Sequence, residues 1–358
     1  MRQPAIHHRP EKAIVRFGLT VTTALLAMAL VTKLAAMAAD AKLVGAAKKG
    51  GQLVAYGDPT YLPLLVAGSS TAYPDVKVIS DSVAGSQTYY RYLSKKQAGR
   101  PIADIIYTGE DAMLIGSDDG NLQEYRPTAV ADMPDWAASP AGNYVLVNAA
   151  RCVLLYNETA TRGLPIRKGW IDCANPPQKW QNPAILSDPR NLSAAYNVVA
   201  TLYQHYGPER AGLTFEGLRK AGAELSPNTG PQTAKLISGE RPMITTINTG
   251  YLATMLDDGA PTKMVVPASG AIPVFGGLGI AKNAPHPNAA RLLMECSLGP
   301  EGQAIVTSQV AYSVRNGAAA PARLPSYSKV KIMKMDLRAA LREPKDILAW
   351  WQSKLGVN

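Results

Sequence analysis

From residue 51 onward, short β-branched and apolar runs alternate with helix-like stretches. This alternation restricts the chain to an α/β architecture with a largely parallel sheet. Gly51 to Tyr56 is a β-run closed by Gly57-Asp58-Pro59, and a helix-like stretch runs from Tyr61 to Ser69. Val76 to Ser80 alternates like a strand, and Ser86 is placed to cap a helix running to Lys96. Ala103 to Tyr107 reads as a third strand, followed by a short helix from Glu110 to Ile115 that stops at Gly120. In such sheets ligands bind beyond the carboxyl ends of the strands. Those ends are Tyr56 to Asp58, Asp81 to Gln87 and Tyr107 to Gly109.

The pattern then repeats. Tyr144–Val147 and Cys152–Tyr156 read as a strand pair, Pro183–Ser187 as a strand, and Ala194–Tyr206 as a long helix. Met243–Ile247 and Lys263–Pro267 are further strands around a helical stretch at Gly250–Leu256. Phe275–Ile280 is a glycine-rich strand of close backbone approach, and Asn288–Leu298 is an amphipathic helix. The expected organisation is residues 40–147 in lobe one, 148–268 in an inserted lobe two, 269–315 back in lobe one, and 316–358 as a basic, helical C-terminal segment. Two lobes joined by crossing strands imply hinge closure over a cleft, the type II binding-protein arrangement.

Residues 1–39 read as a cleavable export signal. Arg2, Arg9, Lys12 and Arg16 precede an uncharged apolar run from Phe17 to Thr32, and Ala36-Met37-Ala38 supplies the cleavage site. The run falls short of the roughly 20 residues that span a bilayer, so the expectation is a periplasmic protein with its signal removed. The formal charge of +10 also shrinks with that removal. Residues 40–358 hold 32 basic and 26 acidic side chains, and 320–358 alone hold eight basic and three acidic. The body is nearly neutral, and without interleaved aromatic and basic residues it is a poor nucleic-acid binder.

Several segments together resemble the periplasmic solute-binding proteins of ABC importers, in the ferric-iron-type branch. They are Ala103–Tyr107, Leu155–Asn157, Gly169–Asp172 and Leu186–Arg190, with Gly279–Pro287 running through Ala289–Leu293 to Leu298–Gln303. The resemblance implies a monomeric receptor that delivers a small-molecule ligand to an inner-membrane permease and its ATPase, with no cofactor. Iron-binding members use two adjacent tyrosines after a lobe-two strand. Here Tyr251 is preceded by Gly250, and Gly57-Asp58-Pro59 stands where the family's early His and Glu would be. These departures move the expected ligand from ferric iron to a small polar solute, anionic organic or phosphorylated. A ligand-presenting receptor for a membrane signalling protein is a further alternative on the same fold.

Candidate ligand contacts follow from the strand ends. Asn191 and Ser193 precede the long helix, whose first N–H groups lack intrahelical partners and suit an anion; Ser193 is equally suited to be an ordinary cap. Ser86, Gln87 and Thr88 pose the same choice. Tyr56, Tyr61, Tyr107 and Thr108 flank the strand mouths of lobe one, Arg190 is a candidate anion clamp, and Asn248 and Tyr251 take their places from the resemblance. Arg151, at the lobe crossing, suits a hinge or a ligand contact.

Other motifs read as structural. Tyr89-Tyr90 sits within a helix, where adjacent rings diverge by about 100°, so the pair packs and holds no metal. Asp118-Asp119-Gly120-Asn121 fails the calcium-loop spacing and reads as a helix-ending turn. Cys152 and Cys173 are either a disulfide or two thiols, and Cys296 lies on a helix. No nucleophile elbow, zinc-protease motif or P-loop occurs. Beyond residue 40 the histidines are His205 and His286, neither placed like a general base. Ser326 and Lys329 match a Ser-x-x-Lys pattern only by its short length. The chain therefore reads as a binder and not an enzyme.

Overall fold

The structure is a computed structural model. It describes residues 41–357 except 60, 84, 86, 100–102, 175–183, 310, 323 and 327–328. The expected export signal and Ser86 lie outside the described residues.

Lobe one begins with α1 (Ala41–Gly50), β1 (Gln52–Gly57), α2 (Leu62–Ala72), β2 (Lys77–Ser82), α3 (Gln87–Gln97), β3 (Ile105–Gly109), α4 (Glu110–Asp118) and β4 (Leu122–Gln123). β5 (Val145–Asn157) crosses to lobe two, which holds β6 (Ile185–Ser187), α5 (Ser193–Lys220), β7 (Glu224–Ser226), α6 (Thr229–Ser238), β8 (Met243–Asn248), α7 (Thr249–Asp257) and β9 (Thr262–Val265). β10 (Ile272–Ala281) crosses back, followed by α8 (Pro287–Leu298), α9 (Pro300–Gln309) and β11 (Tyr312–Ser313). α10 (Leu337–Arg342) and α11 (Pro344–Leu355) complete the chain.

All the strands join one 11-stranded sheet with the main order β2-β1-β3-β10-β5-β8-β6-β7. β1, β2 and β3 are mutually parallel, β10 runs against β3, β5 against β10, and β8 against β5. β6 is parallel to both β8 and β7. The carboxyl ends of β1 and β3 therefore point towards those of β6 and β8. Gly109 is level with Gly276 and hence with Asn148 of β5, while Asn248 is level with Cys152. The two levels are four residue steps apart along β5, roughly 13 Å at about 3.3 Å per residue. That interval is the floor of the cleft.

The expected pair Tyr144–Val147 and Cys152–Tyr156 is one continuous strand, β5, buried at all 13 positions. Asn148 and Arg151 interrupt the apolar pattern and mimic a turn. Both side chains are engaged inside the protein. Asn148 accepts from the Tyr107 hydroxyl (2.8 Å), and Arg151 donates to the Val330 carbonyl (3.3 Å) with its guanidinium 4.9 Å above the Tyr312 ring. Arg151 thus ties the crossing strand to the C-terminal segment. The long lobe-two helix also runs further than Tyr206. Gly207, at φ 77°, and Pro208 kink it, and the helix resumes to Lys220.

Asp104, fully buried at the start of β3, accepts from Val54 N–H (2.7 Å), His286 N–H (2.6 Å) and the His286 ring (3.0 Å), clamping β1, β3 and the entrance to α8. The basic C-terminal segment is anchored on lobe two by its apolar side. Trp351 is 1% exposed, with its ring 6.5 Å from that of Phe215. The Tyr196 hydroxyl donates to Ala340 (2.7 Å), and Gln204 both donates to and accepts from the Asp336 backbone (2.9 Å each).

Candidate functional site

The strand ends bring three helix N-termini together. α3 and α4 start from β2 and β3 of lobe one, and α5 starts from β6 of lobe two. A Cβ at Gly85, before α3, would stand 3.9 Å from the Ser193 hydroxyl, and one at Gly109, before α4, would stand 3.6 Å from it. Ser193 is the first residue of α5, so the two lobes touch here. The Thr108 hydroxyl donates to the Gly85 carbonyl (3.0 Å), and Gly85 N–H to Asp58 Oδ2 (3.5 Å), which fixes the glycine turn against the ends of β1 and β3. Each helix start presents the positive end of a dipole.

Asp111 sits in this junction. The Ser193 hydroxyl and the backbone N–H groups of Asp111 itself and of Ala112, at the start of α4, favour its charged carboxylate. That hydroxyl is buried without a partner at full hydrogen-bond geometry, although it lies close enough to favour the charged carboxylate. Burial is the larger influence and pushes the Asp111 pKa up. Burial, then the Asp111 charge, push Glu110 up to about 7.

Beside the junction lie three phenols. The Tyr61 and Tyr107 rings are 6.0 Å apart at 59°. Tyr107 is 3% exposed, and its contact with Asn148 fits because Gly276 has no Cβ; one there would overlap both the Tyr107 hydroxyl and Asn148 Oδ1. Burial first, then Tyr251 and Asp58, raise the Tyr61 pKa, and burial with Tyr61 and Asp58 raises that of Tyr107. Both phenols therefore stay protonated; the Tyr107 proton is given to Asn148, which leaves Tyr61 to donate to a further oxygen acceptor.

Among the expected contacts, the structure gathers Tyr61, Tyr107, Thr108, Ser193 and Tyr251 around the lobe junction. Asn248 ends β8 and accepts from Gly250 N–H (2.9 Å), capping α7 beneath Tyr251. Others lie differently. The buried Tyr56 receives a bond from Lys95 (2.6 Å), which also holds Asp81 (2.9 Å), so its hydroxyl is engaged within lobe one. The Thr88 hydroxyl donates to the Val83 carbonyl (2.5 Å), a local bond within lobe one, and Gln87 and Asn191 are exposed. The Arg190 guanidinium is bound by Asp188 at 2.7–3.1 Å, in place of the open clamp the sequence suggests.

Sequence reasoning passed over Asp58, Glu110, Asp111 and Asn148. Three of these four follow directly on carboxyl ends of β1 and β3, which is the signal that would have found them. The structural readings fare as their surroundings dictate. Tyr89 is fully buried and receives a bond from Asn121 (2.8 Å), whereas Tyr90 is half-exposed. Gly120, at φ 67°, ends α4. Cys152 is a free, buried thiol 3.6 Å from the Ala194 carbonyl, its pKa pushed up to about 12 by burial. A groove of about 840 Å³ lies away from the strand ends, on the outer face of lobe one between α2, α8 and α9.

The model of the bacterial extracellular solute-binding protein family matches residues 100–338. An uncharacterized protein of Haemophilus influenzae is 27% identical over 317 residues, covering 82% of this chain and 83% of its own. The periplasmic binding protein AfuA from Actinobacillus pleuropneumoniae, solved with exogenous fructose-6-phosphate bound, superposes with a TM-score of 0.75 at 22% identity, covering 86% of this chain and 99% of its own. Iron-bound HitA from Pseudomonas aeruginosa gives 0.72 at 21% identity, with 85% and 99% covered. The α/β sheet with two crossing strands agrees with these folds. The chain belongs to the bacterial extracellular solute-binding protein family.

Proposed function

We propose that the protein captures a small anionic organic or phosphorylated solute in the periplasm and delivers it to an inner-membrane ABC permease. The observation that carries this reading is the convergence of the α3, α4 and α5 N-termini on the buried Ser193 hydroxyl. Helix starts of this kind favour carboxylate or phosphate oxygens. The phenols of Tyr61, Tyr107 and Tyr251, with the Asn248-capped start of α7, would hold the polar body of the solute, Tyr107 as an acceptor because its own proton goes to Asn148. The solute is bound and released unchanged, as expected of a binding protein. AfuA, with a phosphorylated sugar in the same fold, makes the reading concrete. HitA binds iron, but Gly250 beside Tyr251 leaves this chain without the adjacent phenolate pair that favours ferric iron.

The test uses purified protein lacking residues 1–39. Fructose 6-phosphate should raise the melting temperature by mass action while fructose does not. Equal shifts with both sugars would overturn the anion-docking reading. A visible phenolate-to-iron band on addition of ferric citrate, lost in Tyr251→Phe, would favour iron instead.

A further inference from the structure

The chain passes between the lobes a third time. Tyr312 and Ser313 of β11 pair with Ala149 and Asn148 of β5, and the Ser313 hydroxyl donates to Gln303 of α9 (2.6 Å), so β11 sits with lobe one. α10 and α11 are held on α5 of lobe two through Asp336, Ala340 and Trp351. The residues between β11 and α10 therefore cross. We propose that residues 330–333 act as a third hinge strand, and that Arg151 is the pin that holds this strand to the crossing strands and so limits how far the lobes open. The proposal goes beyond the reading above and does not depend on the identity of the solute.

The bonds of all three passes meet at one place. Arg151 of β5 is 1% exposed; it donates to the Val330 carbonyl (3.3 Å) and lies 4.9 Å over the Tyr312 ring, whose hydroxyl donates to the Pro325 carbonyl (2.8 Å). Just ahead of β10, the Ala271 N–H donates to the Lys331 carbonyl (2.8 Å) and the Ala271 carbonyl accepts from the Met333 N–H (2.9 Å), a parallel bridge around Ile332. Gly270 has φ 125°, and a Cβ there would stand 3.0 Å from backbone atoms of Lys331, Ile332 and Met333, so a glycine is needed for the two segments to come this close. The buried Trp170 indole donates to the Gly270 carbonyl (2.9 Å) and fixes the start of β10 from the lobe-two side.

A hinge is a few residues that absorb a change in backbone angles. β5 and β10 run antiparallel between the lobes, and a two-stranded pair by itself is only marginally stable in water. A third pass, bonded to β5 through Arg151 and to the start of β10 through Ala271, stiffens that pair. Arg151 acts through the backbone of residues 330–333 and is a positioning residue of the hinge. In the arrangement described here the lobes meet beside Ser193, so a looser hinge shows as expansion of the ligand-free protein.

Small-angle scattering and residue-resolved amide exchange on the ligand-free protein test this in the wild type, Arg151→Met and Gly270→Ala. Arg151→Met keeps an apolar stem and removes the donor and the cation; Gly270→Ala pushes the same strand away from the β10 side. In both variants the radius of gyration should rise, and the Ala271 and Met333 amides should exchange on the order of tenfold faster while those of α2 and α11 keep their protection. A radius equal to that of the wild type overturns the pin. So does exchange that quickens equally throughout the chain, which would make Arg151 a residue of general stability, and so does expansion with these two amides still protected, which would place the opening elsewhere. Should Arg151→Met fail to fold, Gly270→Ala decides by the same two readouts, because it leaves the buried guanidinium in place. No solute enters the experiment, so its outcome is independent of the anion-docking reading.

Discussion

The two walls of the cleft are built from the same strand-to-helix turn but carry opposite chemistry. The lobe-one wall is acidic, with Asp58 after β1 and Glu110 and Asp111 opening α4. On the lobe-two wall the acid nearest the corresponding turn, Asp188, is consumed by Arg190 and by the Arg190 N–H, leaving a helix start headed by a hydroxyl. Identical local geometry therefore yields a donor surface on one side and an acceptor on the other. On the proposed reading, docking of an external anion falls to the start of α5 on lobe two.

The largest expected effect comes from making the walls alike. Ser193→Asp would place a second carboxylate beside Asp111. Two charges about 4 Å apart repel by about 4 kcal/mol at an effective dielectric constant of 20. Binding of fructose 6-phosphate should weaken on the order of a hundredfold or more by calorimetry, whereas Ser193→Ala, which keeps the backbone donors, should weaken it only severalfold. Unchanged binding in the Asp variant would reduce the segment to a capped helix.

The acidic wall also predicts a pH dependence. Glu110 has its carboxyl raised from 4.5 to about 7 by burial and by Asp111, with Tyr144 the other titratable group facing it. The folded protein keeps a proton that the unfolded chain releases, so ionisation costs more in the folded state. Stability from this group is full below pH about 4.5 and is lost as pH rises towards 7. The raised Asp111 acts in the same direction. Thermal melts across that window should show the decline in the wild type and a flatter profile in Glu110→Gln. Parallel profiles would place the titration elsewhere.

Much of this arrangement is legible in the sequence, and the exceptions share a cause. Strand ends and helix starts are local events, so β1, β3, β8 and the start of α5 follow from residue patterns within a few positions. What a side chain does once there depends on partners distant in sequence. Asn148 and Arg151 look like a break in β5 because their partners, Tyr107 and Val330, lie 41 and 179 residues away. Arg190 is different: its partner Asp188 lies only two residues earlier, and the sequence leaves open whether the pair closes on itself or on a ligand. Asp111 reads as an ordinary acid in the first turn of a helix until lobe two is brought against it.

A smaller effect comes from the phenols. Tyr107→Phe removes the bond to buried Asn148 and leaves its amide oxygen without that donor, which should cost about 1–3 kcal/mol in chemical denaturation. If the Tyr107 oxygen also accepts from the solute, affinity falls with stability. An affinity unchanged beside reduced stability would assign the ring to the floor of the cleft alone.

The smallest effect is expected at Tyr56, which sequence position alone places with Tyr61 at the mouth of β1. Its ring is buried, and its hydroxyl accepts from Lys95, whose ammonium lies 4.7 Å from the ring centroid and also binds Asp81. Tyr56→Phe keeps the ring and Lys95 keeps Asp81, so only one partly exposed bond is lost. Stability should fall by about 1 kcal/mol or less, and the affinity for fructose 6-phosphate should stay within about twofold, a difference of about 0.4 kcal/mol. Tyr61→Phe provides the contrast, because that phenol lies beside Asp58 and Tyr251 at the junction itself. Calorimetry on the two variants side by side measures where the acidic wall ends: a loss of binding in Tyr56→Phe equal to that in Tyr61→Phe would extend the wall past β1 and into the α3 side of lobe one.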